Sequence, residues 1–291
     1  MLSSLVASVI AKVSTYTPPG VVLGLSSCLI ADRKYFSAWK HEFIGTFLMI
    51  GLTFSPGKWI GESSQGVAWA AHAMGVVLAD YIGGGPHVNP AVSISMFSLG
   101  KCDYTEMYVR ICGSMAAGML AFPGFLYLSS TLGLTALGGP EYHPEEAEDG
   151  SEGFYNEFVA TFLLLVAIYV LNFEVNFGKF HYWIKQPLTA IVIRYLIEVF
   201  PTTGPSLNPM LGTAWAVFND EQTGVRVGFP ENPEHYIAYW AGPILGGLFA
   251  SFLYVIYAGG TFFGHSLPFG PIKEAQESPA SKSSKKSKKT K

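Results

Sequence analysis

GGGPHVNPAVSISMF, residues 83–97, and TTGPSLNPMLGTAWAVF, residues 202–218, carry the architecture of this chain. Each places Gly and Pro before an Asn-Pro pair and follows it with small and apolar residues. The two boxes, Asn89-Pro90-Ala91 and Asn208-Pro209-Met210, start 119 positions apart (208 minus 89). Asn is a preferred helix N-cap, and Pro suits the first helical position because the N–H it lacks would go unpaired there. Each box therefore predicts the start of a short helix. Two such starts in one apolar chain predict two half-helices whose positive ends meet inside a membrane.

Upstream of each box lies a second repeat. EFIGTFLM begins at Glu42 and EFVATFLL at Glu157, a spacing of 115 (157 minus 42). Both repeats have nearly the same offset, so the chain is two related halves. Each opens with Glu-x-x-x-Thr and carries Asn-Pro about 50 residues later. Internal duplication of this kind sets the whole fold. Broken helices at matching places in two halves point to a transport site at the bilayer midplane.

The composition agrees. Of 291 residues 49% are hydrophobic and only 13% charged, about half the charge of a typical soluble domain. The three cysteines, Cys28, Cys102 and Cys112, have no metal-ligand spacing and form no disulfide framework. No cofactor or metal is expected, and nothing points to nucleic acid. Six acids fall within 141–152 and seven lysines within 273–291. Lysine and arginine tend to stay cytoplasmic. With Lys12, Arg33, Lys34 and Lys40 near the start, both termini are expected in the cytosol and the number of spans is even.

A span needs about 20 mostly apolar residues. Spans are expected near 38–57, 66–83, 106–130, 155–174, 185–201 and 236–258. The Asn-Pro segments are too short to span and too apolar for solvent loops, so they are re-entrant, with protein or a water-filled cavity covering their backbone. Residues 1–37 are expected as a cytosolic or interfacial arm. Residues 38–260 are expected as the membrane-embedded domain, with repeats 38–130 and 153–260, and 261–291 as a lysine-rich, disordered tail. Arg194 and Glu198, four apart on the fifth span, are expected to neutralise one another.

With the boxes and the Glu-x-x-x-Thr segments placed, the chain resembles the aquaporin (major intrinsic protein) family. HYIAYWAGPILGGLFASFLY, from His235, is similar to that family's sixth helix, and the likeness covers roughly residues 38–260. The resemblance implies an all-α membrane fold of six spans and two half-helices in inverted repeats. It also implies a homotetramer with one pore per protomer. Pro86–Val92 follows the family pattern. The second box departs twice, with Met210 where the family has Ala and Leu211 where it usually has an arginine.

The resemblance further implies that Glu42 and Glu157 accept hydrogen bonds from the re-entrant loops, and His87 is expected to be structural. Ungapped family spacing places the filter at Trp69, Leu196, Pro205 and Leu211. Tryptophan at the first position is similar to the glycerol-conducting branch, and the missing arginine to the unorthodox, intracellular branch. The expected function is passive permeation of water and small uncharged solutes such as glycerol.

Independent physics points the same way. Each half-helix N-terminus carries roughly half a positive charge, and two facing one another in a narrow pore oppose cations, protons included. The rivals are a secondary transporter built on the same repeats, a membrane enzyme, and a non-conducting scaffold. A transporter wants unpaired intramembrane charges, for which Arg194, Glu198, Asp80, Glu42 and Glu157 are the candidates. An enzyme wants a clustered set, and His72 and Asp80 lie about two turns apart. Lys288 and Lys289, three and four positions from the carboxyl end of the sequence, resemble the dilysine signal for retrieval to the endoplasmic reticulum. The alternative is a basic tail drawn to anionic lipid.

Overall fold

The computed structural model describes residues 32–54, 64–133, 139–140, 151–200, 204–218, 228–268 and 271–272. The arm up to residue 31, the acidic stretch 141–150, and the tail with Lys288 and Lys289 lie outside the described residues. Helix α1 spans Arg33–Thr53, α2 Gln65–Gly83, α3 Pro90–Ser98 and α4 Tyr104–Leu132. In the second half, α5 spans Glu152–Tyr169 and runs on through a π turn, Val170–Glu174. Then come α6 over His181–Val199 and α7 over Pro209–Phe218. The last long helix, α8, covers Pro233–Ala258 with a π turn at Ile237–Ala241.

Local chemistry sets these ends. The Ser64 hydroxyl accepts from Val67 N, and α2 stops at Gly84 with φ of 77°, a left-handed value that glycine adopts without a Cβ clash. Asp103 caps α4 by accepting from Glu106 N at 2.8 Å. Among the described residues four helices are long and apolar enough to cross a membrane: α2, α4, α5 with its π turn, and α8. Helices α1 and α6 have the length but carry more charge, at Lys34, Lys40 and Glu42 in one and Lys185, Arg194 and Glu198 in the other. The first span begins at Arg33, earlier than expected, and the expected end of that span at 55–57 is outside the described residues. Thr261–Phe262 and His265–Ser266 pair as a small antiparallel ladder at the head of the expected tail.

The packing is two-fold in kind. Helix α1 lies chiefly against α4, and α5 against α8. Each half-helix crosses over: α3 packs on α8, the last helix of the other repeat, while α7 packs on α4. Close approach needs small residues at the crossings. A Cβ on Gly45 of α1 would collide with the Pro86 ring, and one on Gly118 of α4 with the Met210 sulfur. Among the described residues the result is six long helices around two half-helices that meet end to end, the expected all-α architecture in two inverted repeats.

Candidate functional site

The meeting point is built from backbone first. Val88 and Leu207, each just before its Asn, have φ of 52° and 50°. Left-handed backbone costs a non-glycine residue roughly 1–2 kcal/mol, and a β-branched Val there is a genuine outlier. Something must hold it. The N–H groups of His87 and Val88 donate to the two carboxylate oxygens of Glu42 at 2.6 and 2.8 Å. Those of Ser206 and Leu207 donate to Glu157 at 2.7 and 2.9 Å. Both carboxylates are fully buried. Each thus serves two donors that the tight turn leaves without a ladder partner.

The carbonyls of the two left-handed residues tie the halves together. Asn89 Nδ2 donates to Leu207 O at 2.7 Å, and Asn208 Nδ2 donates to Val88 O at 2.8 Å. Meanwhile Asn89 Oδ1 accepts from Ala91 N at 2.9 Å and Asn208 Oδ1 from Met210 N at 3.0 Å, capping α3 and α7. An amide NH2 has two hydrogens. One goes to the opposite loop, and among the described residues the other meets no protein acceptor. Two donors are therefore presented where two helix dipoles converge. Such a place can bind the oxygen atoms of neutral solutes and opposes cations.

The other sequence-predicted residues fall as follows. Pro90 and Pro209 occupy first helical positions, both buried. Met210 is fully buried, in an apolar cluster with Ile50, Met119, Phe122, Leu211 and Trp215. It is core. Pro205 is buried beside Ser206. Leu196 is 3% exposed in a different cluster, with Leu164, Tyr169 and Leu207. Trp69 does not present a bare ring: its Nε1 donates to Glu198 Oε1 at 2.7 Å. Arg194 Nε meets the same oxygen at 3.1 Å, and Gln65 donates to Glu198 Oε2 at 3.0 Å. His87 Nδ1 lies 3.0 Å from Ser93 Oγ.

His72 and Asp80 are not brought together. His72 is buried in α2, and Asp80 accepts from Tyr182 at 2.7 Å. Among the described residues no three His, Cys, Asp or Glu side chains could hold a metal. One partner was missed by sequence reasoning: Arg110 of α4, whose Nη1 reaches Glu42 at 2.6 Å and whose Nη2 reaches Glu106 at 2.9 Å. The signal was available, since Arg110 is the lone basic residue inside the expected span 106–130 and a charge there demands a partner.

Inverted repeats and a pair of abutting half-helices, each asparagine at the junction with an amide hydrogen to spare, are the plan of a membrane transport protein. The family model described as Major intrinsic protein matches residues 29–254. The chain belongs to that family, which makes it a multi-pass membrane channel for water and small solutes. It is 26% identical over 242 residues to aquaporin PIP1-1 of Arabidopsis thaliana, covering 78% of this chain and 81% of that one. A probable aquaporin, PIP-type pTOM75 of Solanum lycopersicum, is 27% identical over 245 residues, with coverage of 78% and 81%. In structure the fold is similar to the aquaglyceroporin from Plasmodium falciparum. The TM-score is 0.56 at 21% identity, over 76% of this chain and 95% of that one.

Proposed function

We propose that this protein conducts water and small uncharged solutes, glycerol among them, passively and in both directions. The observation that carries the reading is the reciprocal pairing of Asn89 with Leu207 and of Asn208 with Val88, which leaves each amide one hydrogen for a passing oxygen. Trp69, Pro205 and Leu211 line an outer constriction without a loop arginine, and Leu196 supports it from the core behind Leu207. The channel domain is residues 38–260, in repeats 38–130 and 153–260, assembled as a homotetramer with both termini in the cytosol. The test is solute entry into proteoliposomes against external concentration. A channel gives uptake that stays linear to high glycerol and stops at equilibrium. Saturation at low concentration, or accumulation driven by a proton or sodium gradient, would establish a secondary transporter instead.

For location we propose the endoplasmic reticulum, on the strength of Lys288 and Lys289. Changing both to serine while keeping the other five tail lysines separates retrieval from general lipid attraction. Retrieval predicts that a tagged protein moves from the reticulum to later membranes. No movement, or a wild type already at the plasma membrane, would contradict it.

A further inference from the structure

Among the described residues three non-glycine residues have positive φ: Val88, Leu207 and Phe263, at 52°, 50° and 50°. Such outliers persist only where their surroundings hold them, and they gather at functional places. The first two sit beside the junction asparagines. The third lies beyond α8, in the short ladder of Thr261–Phe262 with His265–Ser266. That ladder closes through Phe263 and Gly264, both with positive φ, a two-residue turn for which Asn-Gly is the favoured sequence. A phenylalanine there is unfavourable for the hairpin, so its reason lies outside it.

Phe263 N donates to Ser98 O at 2.8 Å, on the last residue of the half-helix α3. The end of a helix leaves carbonyls without intrahelical donors. Three carbonyls of the last turn of α3 are served locally: Ser95 O by Leu99 N at 3.2 Å, Phe97 O by Gly100 N and Met96 O by Lys101 N, both at 2.9 Å. Gly100, at φ of 67°, makes this a Schellman stop. The stop leaves Ser98 O over, and it is filled from 165 positions away (263 minus 98). Rings reinforce the bond. Phe263 meets Phe97 edge-on with centroids 5.8 Å apart, and Phe262 meets Phe252 of α8 in the same way at 5.6 Å. The hairpin thus ties the end of α3 to the end of α8. Helix α7 has a plainer counterpart, its Val217 O accepting from Gly228 N at 3.3 Å, only eleven positions on (228 minus 217).

A clamp at this point fixes position along the helix axis. The nine residues of α3 span about 14 Å, and at their other end Asn89 Nδ2 donates to Leu207 O at 2.7 Å. A slide of about 1 Å would stretch that bond beyond the usual range of about 2.7–3.2 Å. We propose that Phe263 is a positioning residue of the pore: its N–H and its ring clamp the far end of α3 and so set the reach of Asn89 toward the opposite loop. The inference rests on the channel reading above. The chain just after α8 is then part of the frame of the channel.

The experiment uses the full chain in proteoliposomes and reads water permeability together with amide hydrogen exchange of α3 against α7. It compares wild type with Phe263→Ala, Phe263→Tyr and Phe263→Asn. Loss of an edge-on aromatic contact with its burial corresponds to roughly tenfold. In Phe263→Ala, exchange in α3 is expected to quicken about tenfold, exchange in α7 to stay as it is, and water permeability to fall about threefold. Phe263→Tyr keeps the ring and should match wild type in both readings. Asparagine tolerates positive φ, so Phe263→Asn suits the turn better than phenylalanine while lacking the ring, and should behave as Phe263→Ala does. It keeps the test open if Phe263→Ala does not assemble. Unchanged exchange in α3, or unchanged permeability, in a well-assembled Phe263→Asn protein would overturn the inference. Equal quickening of α3 and α7 would do the same, since it marks a general loss of stability. A wild type that passes no more water than empty liposomes would instead remove the channel reading, and the exchange contrast would still decide whether Phe263 clamps α3.

Discussion

Glu42 and Glu157 stand at equivalent points of the two halves, and each accepts two backbone N–H groups from its own loop. Only Glu42 also meets a cation, the Arg110 guanidinium, which bridges on to Glu106. Glu157 has no ion pair among the described residues. The second half-helix is instead the more deeply packed: nine of the ten residues of α7 are buried, against six of the nine in α3. The two halves thus share one backbone geometry and stabilise it differently. The first is anchored by charge, the second by packing around Met210, Trp215 and Phe218. Both repeats keep the bonds that the left-handed turn cannot do without, while their surroundings differ.

This contrast predicts unequal damage. Glu42→Ala strands two N–H groups, at roughly 1–3 kcal/mol each, and also takes from Arg110 one of its two carboxylate partners, at about 1.5–3 kcal/mol more. Glu157→Ala strands the two N–H groups alone, at roughly 1–3 kcal/mol each. Thermal unfolding in detergent at matched protein should show the larger loss for Glu42→Ala, and Arg110→Leu should reproduce the difference between the two carboxylate variants. Equal losses for the two carboxylates, with a silent Arg110→Leu, would erase the contrast between charge and packing.

The packing half has its own signature. Met210→Ala opens a cavity where the first half has Ala91, and should destabilise by about 2–4 kcal/mol. Gly118→Ala drives a methyl into the Met210 sulfur and should lose about 1–3 kcal/mol by overpacking. Because the two residues share one space, the double variant should be more stable than the sum of the single losses implies, a coupling that a double-mutant cycle reads directly. Simple additivity would mean that Met210 and Gly118 do not compete for room.

At the proposed outer constriction, Leu211→Arg adds a fixed charge and strong donors to the first turn of α7. The water-to-glycerol ratio should rise about tenfold, the worth of one hydrogen bond to a charged group. An unchanged ratio in a well-folded protein would show that Leu211 does not line the filter. The smallest effect is expected at the head of α4, where Asp103 accepts from Lys34 at 2.9 Å and caps Glu106 N. The Lys34 hydrogen bond holds the Asp103 carboxyl below its usual pKa. A depressed carboxylate stabilises at neutral pH and loses that contribution as pH falls through its lowered value. The small difference in unfolding temperature between wild type and Asp103→Ala should therefore shrink in acid. A difference that grows in acid would contradict the assignment.

Much of this was legible in the chain because it is written twice. The paired Asn-Pro boxes and the paired Glu-x-x-x-Thr segments located both half-helices and both buried carboxylates. A turn motif that recurred by chance would not bring a buried-carboxylate motif with it at nearly the same offset. What spacing lacks is the direction of a side chain. Counting back from Asn208 reaches Leu196, but the count cannot say that Leu196 turns into the core while Arg194 and Glu198 meet Trp69. Nor does spacing reveal that Met210 is accommodated by the missing Cβ of Gly118, ninety-two positions away (210 minus 118). Arg110 was visible as a charge in an apolar span. Its partner was hidden by the 68 residues that separate it from Glu42.

Two abutting half-helices, locked by their asparagines, should form an open path for neutral solutes. Stopped-flow light scattering of proteoliposomes puts this to the test, with wild type compared with an Asn89→Ala, Asn208→Ala double variant at equal protein. Water and glycerol permeability of the wild type should stand well above that of empty liposomes. The variant, which has lost both caps, each worth roughly 1 kcal/mol, together with both inward donors, should fall most of the way to that baseline. Wild-type permeability no greater than that of empty liposomes for either solute would mean that the half-helices enclose no open path.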